Sequence, residues 1–121
     1  MASMRLTIAM FSIVCFISTV FGKCGVNDLV IGTVKSGRQI GGKPEWNVQV
    51  VNNCNCSQSN IVLTCHDFQT VKPVDPSIFQ KNGDHCSVNG GRPLLPRADV
   101  KFSYAWDPPF FLFPFSTKPL C

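Results

Sequence analysis

The sequence predicts an all-β fold, a small antiparallel β-sandwich cross-linked by three disulfides. Short segments alternate apolar and polar residues with the period of two that half-buried strands show. Turns rich in Gly, Pro and Asn separate these segments, and no segment has the period of an amphipathic helix. An even number of cysteines follows the apolar N-terminus, which is typical of a small disulfide-linked domain.

Two alternating segments flank a pair of closely spaced cysteines. They are EWNVQVV at 45–51 and NIVLTC at 60–65. The polar segment between them is short enough for a hairpin connection. We therefore expect a hairpin with Cys54 and Cys56 at its tip and Cys65 near its open end.

Three further strands are predicted, at 28–34, 99–105 and 110–116. Pro114 lies inside the last of these, which favours an edge strand or a bulge because proline cannot donate to a central ladder. Residues 71–98 are rich in Pro, Gly and Asn, so we expect them to form mostly loop.

Residues 1–22 have the pattern of a secretory signal peptide. Arg5 precedes an uncharged, mostly apolar run that ends at a small residue before polar sequence begins. We expect cleavage after Gly22, which removes Cys15 and sends residues 23–121 out of the cell. The alternative is an uncleaved membrane anchor, since the run approaches the length of a bilayer span.

The charge of the chain is weakly positive and scattered. Eleven Lys and Arg oppose seven Asp and Glu, and no basic cluster follows residue 23. This pattern disfavours nucleic-acid partners, which require clustered basic residues, and it disfavours a lytic helix. After signal cleavage we expect no membrane contact, and we expect a monomer.

The cysteines of the mature domain are predicted to form disulfides rather than a metal site. The spacing CNC lacks the paired CxxC or Cys/His arrangement of a zinc site, and the secretory route is oxidising. We expect neither a metal nor a cofactor. The six disulfide cysteines are Cys24, Cys54, Cys56, Cys65, Cys86 and Cys121.

Geometry excludes several pairings. A bridge between Cys54 and Cys56 would close a strained ring. In the predicted hairpin, the strand from Cys56 to Cys65 spans roughly 30 Å at about 3.3 Å per residue, whereas bridged Cα atoms lie within about 7 Å. Cys65 is therefore expected to pair with neither tip cysteine.

The remaining pairings stay open, with two preferences. The partner of Cys65 is Cys24, Cys86 or Cys121, and Cys24 is favoured because it would tie the N-terminus to the sheet. The tip cysteines then take the other two, with Cys54–Cys121 preferred.

Several short motifs follow one another in a recognisable order. They are DLVIG, GGKPEWNVQVVNNC, NIVLTCHDF, VDPSIF, CSVNGGRPL, VKFSYA and FPFSTKPLC. Together they resemble the plant TAPETUM DETERMINANT family of small secreted cysteine-rich proteins, over nearly all of residues 24–121. Some family members are ligands of a leucine-rich-repeat receptor kinase that sets anther cell fate. The resemblance implies that residues 23–121 form a secreted signalling ligand in the apoplast, whose partner is a receptor kinase ectodomain.

Two other classes of function compete with the ligand hypothesis. An enzyme would have to use His66, His85 and the neighbouring Asp67 and Asp84, but no nucleophile elbow, metal-ligand pair or phosphate loop accompanies them. We therefore expect no catalytic site.

A carbohydrate-binding module acting at the cell wall is the stronger rival. Exposed Trp and Tyr rings could stack on sugars. Trp46 and Tyr104 fall on the apolar phase of their strands, whereas Trp106 follows its strand and is expected to be exposed.

The C-terminal run FFLFPF has apolar residues on both phases. Either both faces are buried, or one face presents aromatic side chains to a partner. The candidate partner-binding residues are Trp106, Phe111, Phe113 and Phe115. Asn55 begins the sequon Asn-Cys-Ser and is a candidate for N-glycosylation.

Overall fold

The computed structural model describes residues 23–121. The predicted signal peptide, residues 1–22, and its Cys15 lie outside the described residues. Among residues 23–121, no helix is both long and apolar enough to cross a bilayer.

The chain forms two antiparallel sheets that enclose one core. The strands are β1 (Leu29–Ile40), β2 (Lys43–Asn52), β3 (Ser57–Thr64), β4 (Phe79–Asn82), β5 (His85–Val88), β6 (Asp99–Ala105) and β7 (Phe113–Leu120). The first sheet has the order β1-β2-β6, and the second has the order β4-β5-β3-β7. The predicted β-sandwich with three disulfides is confirmed.

The core lies between the sheets and takes the apolar phase of each strand. Val48 and Val50 of β2 are buried in the same cluster as Ile61 and Leu63 of β3. Each such aliphatic side chain contributes about 1.5–3 kcal/mol when it leaves water. The alternation seen in the sequence therefore reports which face of each strand points inward.

The predicted hairpin between β2 and β3 is wrong. β2 pairs with β1 and β6, whereas β3 pairs with β5 and β7. The two strands lie in different sheets, and the segment that carries the close cysteines crosses from one sheet to the other. Alternation specifies which side chains are buried, and it is equally compatible with two strands side by side or face to face across a core.

A buried amide network holds this crossing in place. The side-chain amide of Asn52 donates to the carbonyl oxygens of Cys56 at 2.8 Å and Leu94 at 2.9 Å. Gln58 Nε2 donates to Asn52 Oδ1 at 2.9 Å, and both side chains are fully buried. A buried polar group without a partner costs about 1–3 kcal/mol, so these bonds favour the crossing over alternative paths.

The middle of the chain is more ordered than predicted. Residues 71–98 were expected to form mostly loop, yet they contain β4 and β5, which pair with each other. The two strands are joined by a tight turn in which Gly83 has a φ of 66°. Because Asn82 pairs with His85, the two central residues of the turn are Gly83 and Asp84, and Gly83 supplies the positive φ that such a turn requires at its first central position.

The outer predicted strands are largely confirmed. β6 has the predicted bounds, and β1 includes most of the predicted segment and continues further, to Ile40. The C-terminal strand is displaced: it begins at Phe113 and ends at Leu120, whereas 110–116 was predicted. Pro114 lies on an edge strand next to register irregularities, as its chemistry required.

The three bridges confirm the exclusions and correct both preferences. They are Cys24–Cys54, Cys56–Cys121 and Cys65–Cys86, with Cα separations of 6.0, 5.2 and 6.0 Å. As expected, the tip cysteines do not pair with each other, and neither pairs with Cys65. The preferred Cys24–Cys65 and Cys54–Cys121 bridges are wrong.

Strand pairing explains both corrections. Leu29 of β1 pairs with Asn52 of β2, which brings the preceding Cys24 close to Cys54. Cys86 lies on β5 next to the end of β3, a neighbour that could not be anticipated while this segment was taken for loop.

One carboxylate is almost fully buried at the end of the first sheet. Glu45 accepts a hydrogen bond from Lys72 at 2.6 Å and pairs with Arg38 at 3.2 Å. Lys72 also donates to the Ser103 hydroxyl. The hydrogen bond from Lys72, then one from Ser36, and the charges of Lys72 and Arg38 lower the pKa of Glu45 below its ordinary value.

The substitution Glu45→Gln is expected to make the free energy of unfolding less dependent on pH in the acid range. A carboxyl group with a lowered folded-state pKa stabilises the fold above its unfolded pKa of about 4.3, and this contribution is lost as the pH falls through the folded pKa. The variant should lose stability at neutral pH and show a shallower fall below about pH 4.3. Urea unfolding across pH 2–7 measures both effects, and parallel curves for the two proteins would contradict the prediction.

Candidate functional site

The aromatic run before and within β7 divides between core and surface by alternation. Phe110 is half-buried and Leu112 is buried, and both pack into the core. Phe111, Phe113 and Phe115 are 82%, 39% and 56% exposed. The open choice between core and interface is therefore answered residue by residue: the even positions pack inward and the odd positions face outward.

The register of β7 on β3 fixes which phase is exposed. Pro114 pairs with the buried Leu63, so Phe113 and Phe115 lie on the outer face of the sheet. The ring of Phe115 lies 4.1 Å from the ring of His85, and the rings of Phe111 and Phe113 are 5.4 Å apart. We refer to Phe111, Phe113, Phe115 and His85 as the aromatic face.

Buried aromatic residues anchor this face from below. The Tyr104 hydroxyl accepts a hydrogen bond from the backbone N–H of Phe110 at 2.9 Å. Burial raises the pKa of Tyr104, so its phenol is neutral at physiological pH. Phe68 packs against Phe79, Tyr104 and Phe110 with ring centroids 5.1–5.2 Å apart. The chain segment that carries the exposed rings is thus anchored to an aromatic cluster in the core.

His85 is a member of the aromatic face that the sequence did not identify. It was considered only as a possible catalytic residue in a polar loop. In the structure it lies on β5 and pairs with Thr64, which in turn pairs with Phe113. The short alternation HCSV around the buried Cys86 is the signal that would have placed His85 on an outer face.

Trp106 is not the exposed ring that was expected. It is half-buried and packs against the core, and its carbonyl oxygen accepts a hydrogen bond from Trp46 Nε1 at 3.0 Å. Lys43 Nζ lies 4.9 Å from the Trp106 ring centroid, and Lys35 Nζ lies 5.7 Å from that of Trp46. These lysines occupy ring faces on which a sugar would have to stack.

The histidines and carboxylates considered for catalysis are only partly brought together. His66 Nδ1 lies 3.5 Å from Asp84 Oδ1, and both side chains are 64% exposed. His85 stacks on Phe115 instead. Among residues 23–121, no Ser or Thr hydroxyl is hydrogen-bonded to the side chains of the His66–Asp84 pair.

Two disulfides lie side by side near the sheet crossing. The sulfur atoms of Cys24, Cys56 and Cys121 are within 4.8 Å of one another. These sulfurs belong to the Cys24–Cys54 and Cys56–Cys121 bridges, so in the oxidised protein they offer no thiolate ligand.

The predicted glycosylation residue is accessible. Asn55 is exposed, and its Oδ1 accepts a hydrogen bond from Arg97 Nη2 at 3.0 Å, which directs the amide nitrogen, the atom that carries the glycan, away from this contact. We expect Asn55 to be glycosylated when the full chain is secreted from plant or insect cells, because its sequon enters the lumen before the partner of Cys56, 65 residues later, can close the bridge.

Mass spectrometry before and after peptide N-glycosidase treatment measures this modification. Asn55→Gln and Ser57→Ala should each abolish the mass difference. Secreted wild-type protein whose mass is unchanged by the enzyme would contradict the prediction.

Comparison with known proteins connects this structure to a family. A family model described as Tapetum determinant 1, C-terminal, matches residues 25–121. The chain belongs to the Tapetum determinant 1 family. The matched region covers all seven strands, the whole aromatic face and five of the six disulfide cysteines, Cys24 lying just before it.

Named relatives agree with this family membership. TPD1 protein homolog 1 of Arabidopsis thaliana is 32% identical over 85 residues, which cover 68% of this chain and 48% of that protein. TPD1 protein homolog 1A of Oryza sativa subsp. japonica is 33% identical over 100 residues, which cover 75% and 44%. The chain spans about half the length of the curated relatives it matches. No solved structure matches.

Proposed function

We propose that this Tapetum determinant 1 family protein is a secreted signalling ligand recognised by the ectodomain of a plant leucine-rich-repeat receptor kinase, with a role in reproductive cell fate. The observation that carries the proposal is the aromatic face. Exposed apolar patches on small proteins usually mark interaction surfaces, and aromatic residues are enriched among interface anchors. The class of partner is part of the proposal and is the one that the family resemblance implies.

The three disulfides support the same function. A ligand acts by stabilising one receptor arrangement over another, so a rigid surface loses little conformational entropy on binding. The aromatic face rests on a sheet in which a buried bridge links β5 to the end of β3. The backbone of this sheet is therefore restrained before the partner arrives.

Binding of the secreted chain to a panel of receptor kinase ectodomains tests the proposal, with cell-wall polysaccharides measured beside them. We expect saturable binding to at least one ectodomain and no retention on polysaccharide. Retention on polysaccharide without any protein partner would favour the carbohydrate-binding alternative, and binding to neither would remove the receptor assignment.

A further inference from the structure

One edge of the first sheet carries backbone groups without partners among residues 23–121. β1 pairs only with β2. The carbonyl oxygen of Asp28 accepts a hydrogen bond from the N–H of Asn53 at 2.8 Å, so even-numbered residues point their backbone groups toward β2. By the alternation of antiparallel ladders, Ile31, Thr33 and Lys35 point their N–H and C=O groups toward the free edge.

From Val30 to Val34 this edge lacks the features that usually protect a sheet from strand addition, and the charge and the irregular register of β1 begin only at Lys35. By contrast β7, one of the two edge strands of the second sheet, carries Pro114 and Pro119. The stretch of β1 from Val30 to Val34 has no proline and no charge, and these two valines are 49% and 62% exposed. Exposed edges of this kind readily pair with another strand.

The edge is complementary to itself about Gly32. In an antiparallel pairing of two copies centred there, Val30 lies opposite Val34 of the second copy, and Ile31 lies opposite its Thr33. The residues with free backbone groups then face one another in hydrogen-bonded pairs. Gly32 meets its counterpart in a non-hydrogen-bonded pair, where Cα atoms approach to about 4.5 Å. No atom beyond its chain neighbours lies within 4 Å of the position of a Cβ at Gly32, so a side chain introduced there has room on the outer face of the sheet.

We propose that two copies of the chain associate through β1, antiparallel, about a twofold axis at Gly32. The result is a continuous six-stranded sheet formed from the three-stranded sheets of both copies. This departs from the monomer that the sequence led us to expect, because composition and charge do not report an unpaired edge. A second copy fits this edge better than an unrelated segment, because residues 30–34 of each copy supply both strands of the pairing.

A groove beneath the edge supports the same occupant. It has a volume of about 290 Å³, and its lining includes Ile31, Thr33, Trp46 and Phe111. In the paired arrangement, Ile31 of the second copy lies beside Thr33 at the mouth of this groove. The groove and part of the exposed Phe111 ring would then be covered, while Phe113 and Phe115 lie on the outer face of the other sheet. The dimer would present the rest of the aromatic face twice, which raises the avidity for paired receptors.

A cysteine at the axis tests the register. In the full chain secreted as the folded protein, Gly32→Cys should form a covalent dimer on non-reducing gels, because the two Cα atoms fall within disulfide range. Gln49→Cys is the matched control, since Gln49 pairs with Gly32 on the neighbouring strand. Its counterpart would lie about 14 Å away across three strand spacings, too far to bridge. Equal cross-linking of the two variants, or none in Gly32→Cys, overturns the register.

Paired charge substitutions test the association itself by light scattering at micromolar concentration. The wild type should have twice the mass of one chain. Val30→Lys/Val34→Lys places like charges opposite each other and should be monomeric, whereas Val30→Glu/Val34→Lys places opposite charges together and should remain dimeric. A monomeric wild type, or a dimeric Lys/Lys variant, overturns the proposal. If the wild type is monomeric and the Lys/Lys variant also loses receptor binding, the edge of β1 is a contact surface for the receptor instead. The cross-linking and light-scattering measurements use the protein alone, so failure of the proposed receptor function leaves them unaffected.

Discussion

Removing the Cys65–Cys86 bridge with the double variant Cys65→Ala/Cys86→Ala is expected to lower the free energy of unfolding by about 5 kcal/mol. About 3 kcal/mol comes from the greater entropy of the unfolded chain, because the bridge closes a loop with a sequence separation of 21 residues. The rest comes from the core. Both cysteines are fully buried, and each substitution leaves a void near the size of a methyl group that costs about 1 kcal/mol.

Small domains have a total stability of about 5–15 kcal/mol, so this variant should be close to unfolding at physiological temperature. Guanidinium unfolding of the wild type and the variant measures the loss. Cys24→Ala/Cys54→Ala is the matched control: it opens a loop of similar length, with a separation of 30 residues, but its cysteines are only half-buried. An equal or larger loss in the control would show that burial of the Cys65–Cys86 bridge adds nothing.

Strand positions could be predicted from the sequence because side-chain alternation is a local property. The β6 segment was predicted with its observed bounds, and the inward phase predicted for Tyr104 matches its burial. Strand pairing was not predictable in the same way. β2 and β3 both alternate strongly, yet they lie in different sheets, and the buried Asn52 hydrogen-bonds to the segment that crosses between them.

The β4–β5 hairpin was missed for a different reason. The density of proline and glycine in residues 71–98 indicated loop, and the strands are only four residues each. The Gly83-Asp84 turn was a valid hairpin signal, but the strands beside it are too short to show a clear period. That omission also produced the wrong partner for Cys65, since Cys86 lies on β5.

The sequence identified the phenylalanines of the candidate site, but it did not show which of the apolar side chains in that run face outward. Phe111, Phe113 and Phe115 were identified because the run is apolar on both phases, and such a run does not show which phase faces out. The pairing of Pro114 with Leu63 decides this, and it depends on a contact 51 residues apart in sequence. His85 joins the face only through the same sheet.

Substituting Phe113→Ser and Phe115→Ser together is expected to abolish most receptor binding while leaving the fold intact. A central aromatic anchor contributes about 2 kcal/mol or more to a protein interface, which corresponds to about a thirtyfold rise in Kd for each residue. Both side chains are substantially exposed, and they lie on the outer face of the sheet. The free energy of unfolding should therefore change much less than the free energy of binding.

Leu95→Ser is the matched control for this double variant. Leu95 is 64% exposed, more than Phe115, and it lies outside the aromatic face, so its loss removes an exposed apolar side chain comparable with one of the two rings from a different place. Biolayer interferometry against the receptor ectodomain identified with the wild type gives both Kd values, and thermal unfolding gives the stability of each protein. An equal loss of affinity in Leu95→Ser would mean that binding depends on general hydrophobicity, and unchanged affinity in the double variant would place the receptor contact elsewhere on the sandwich. The aromatic face is the binding surface only if the double variant binds more weakly than Leu95→Ser while the two proteins have similar stability.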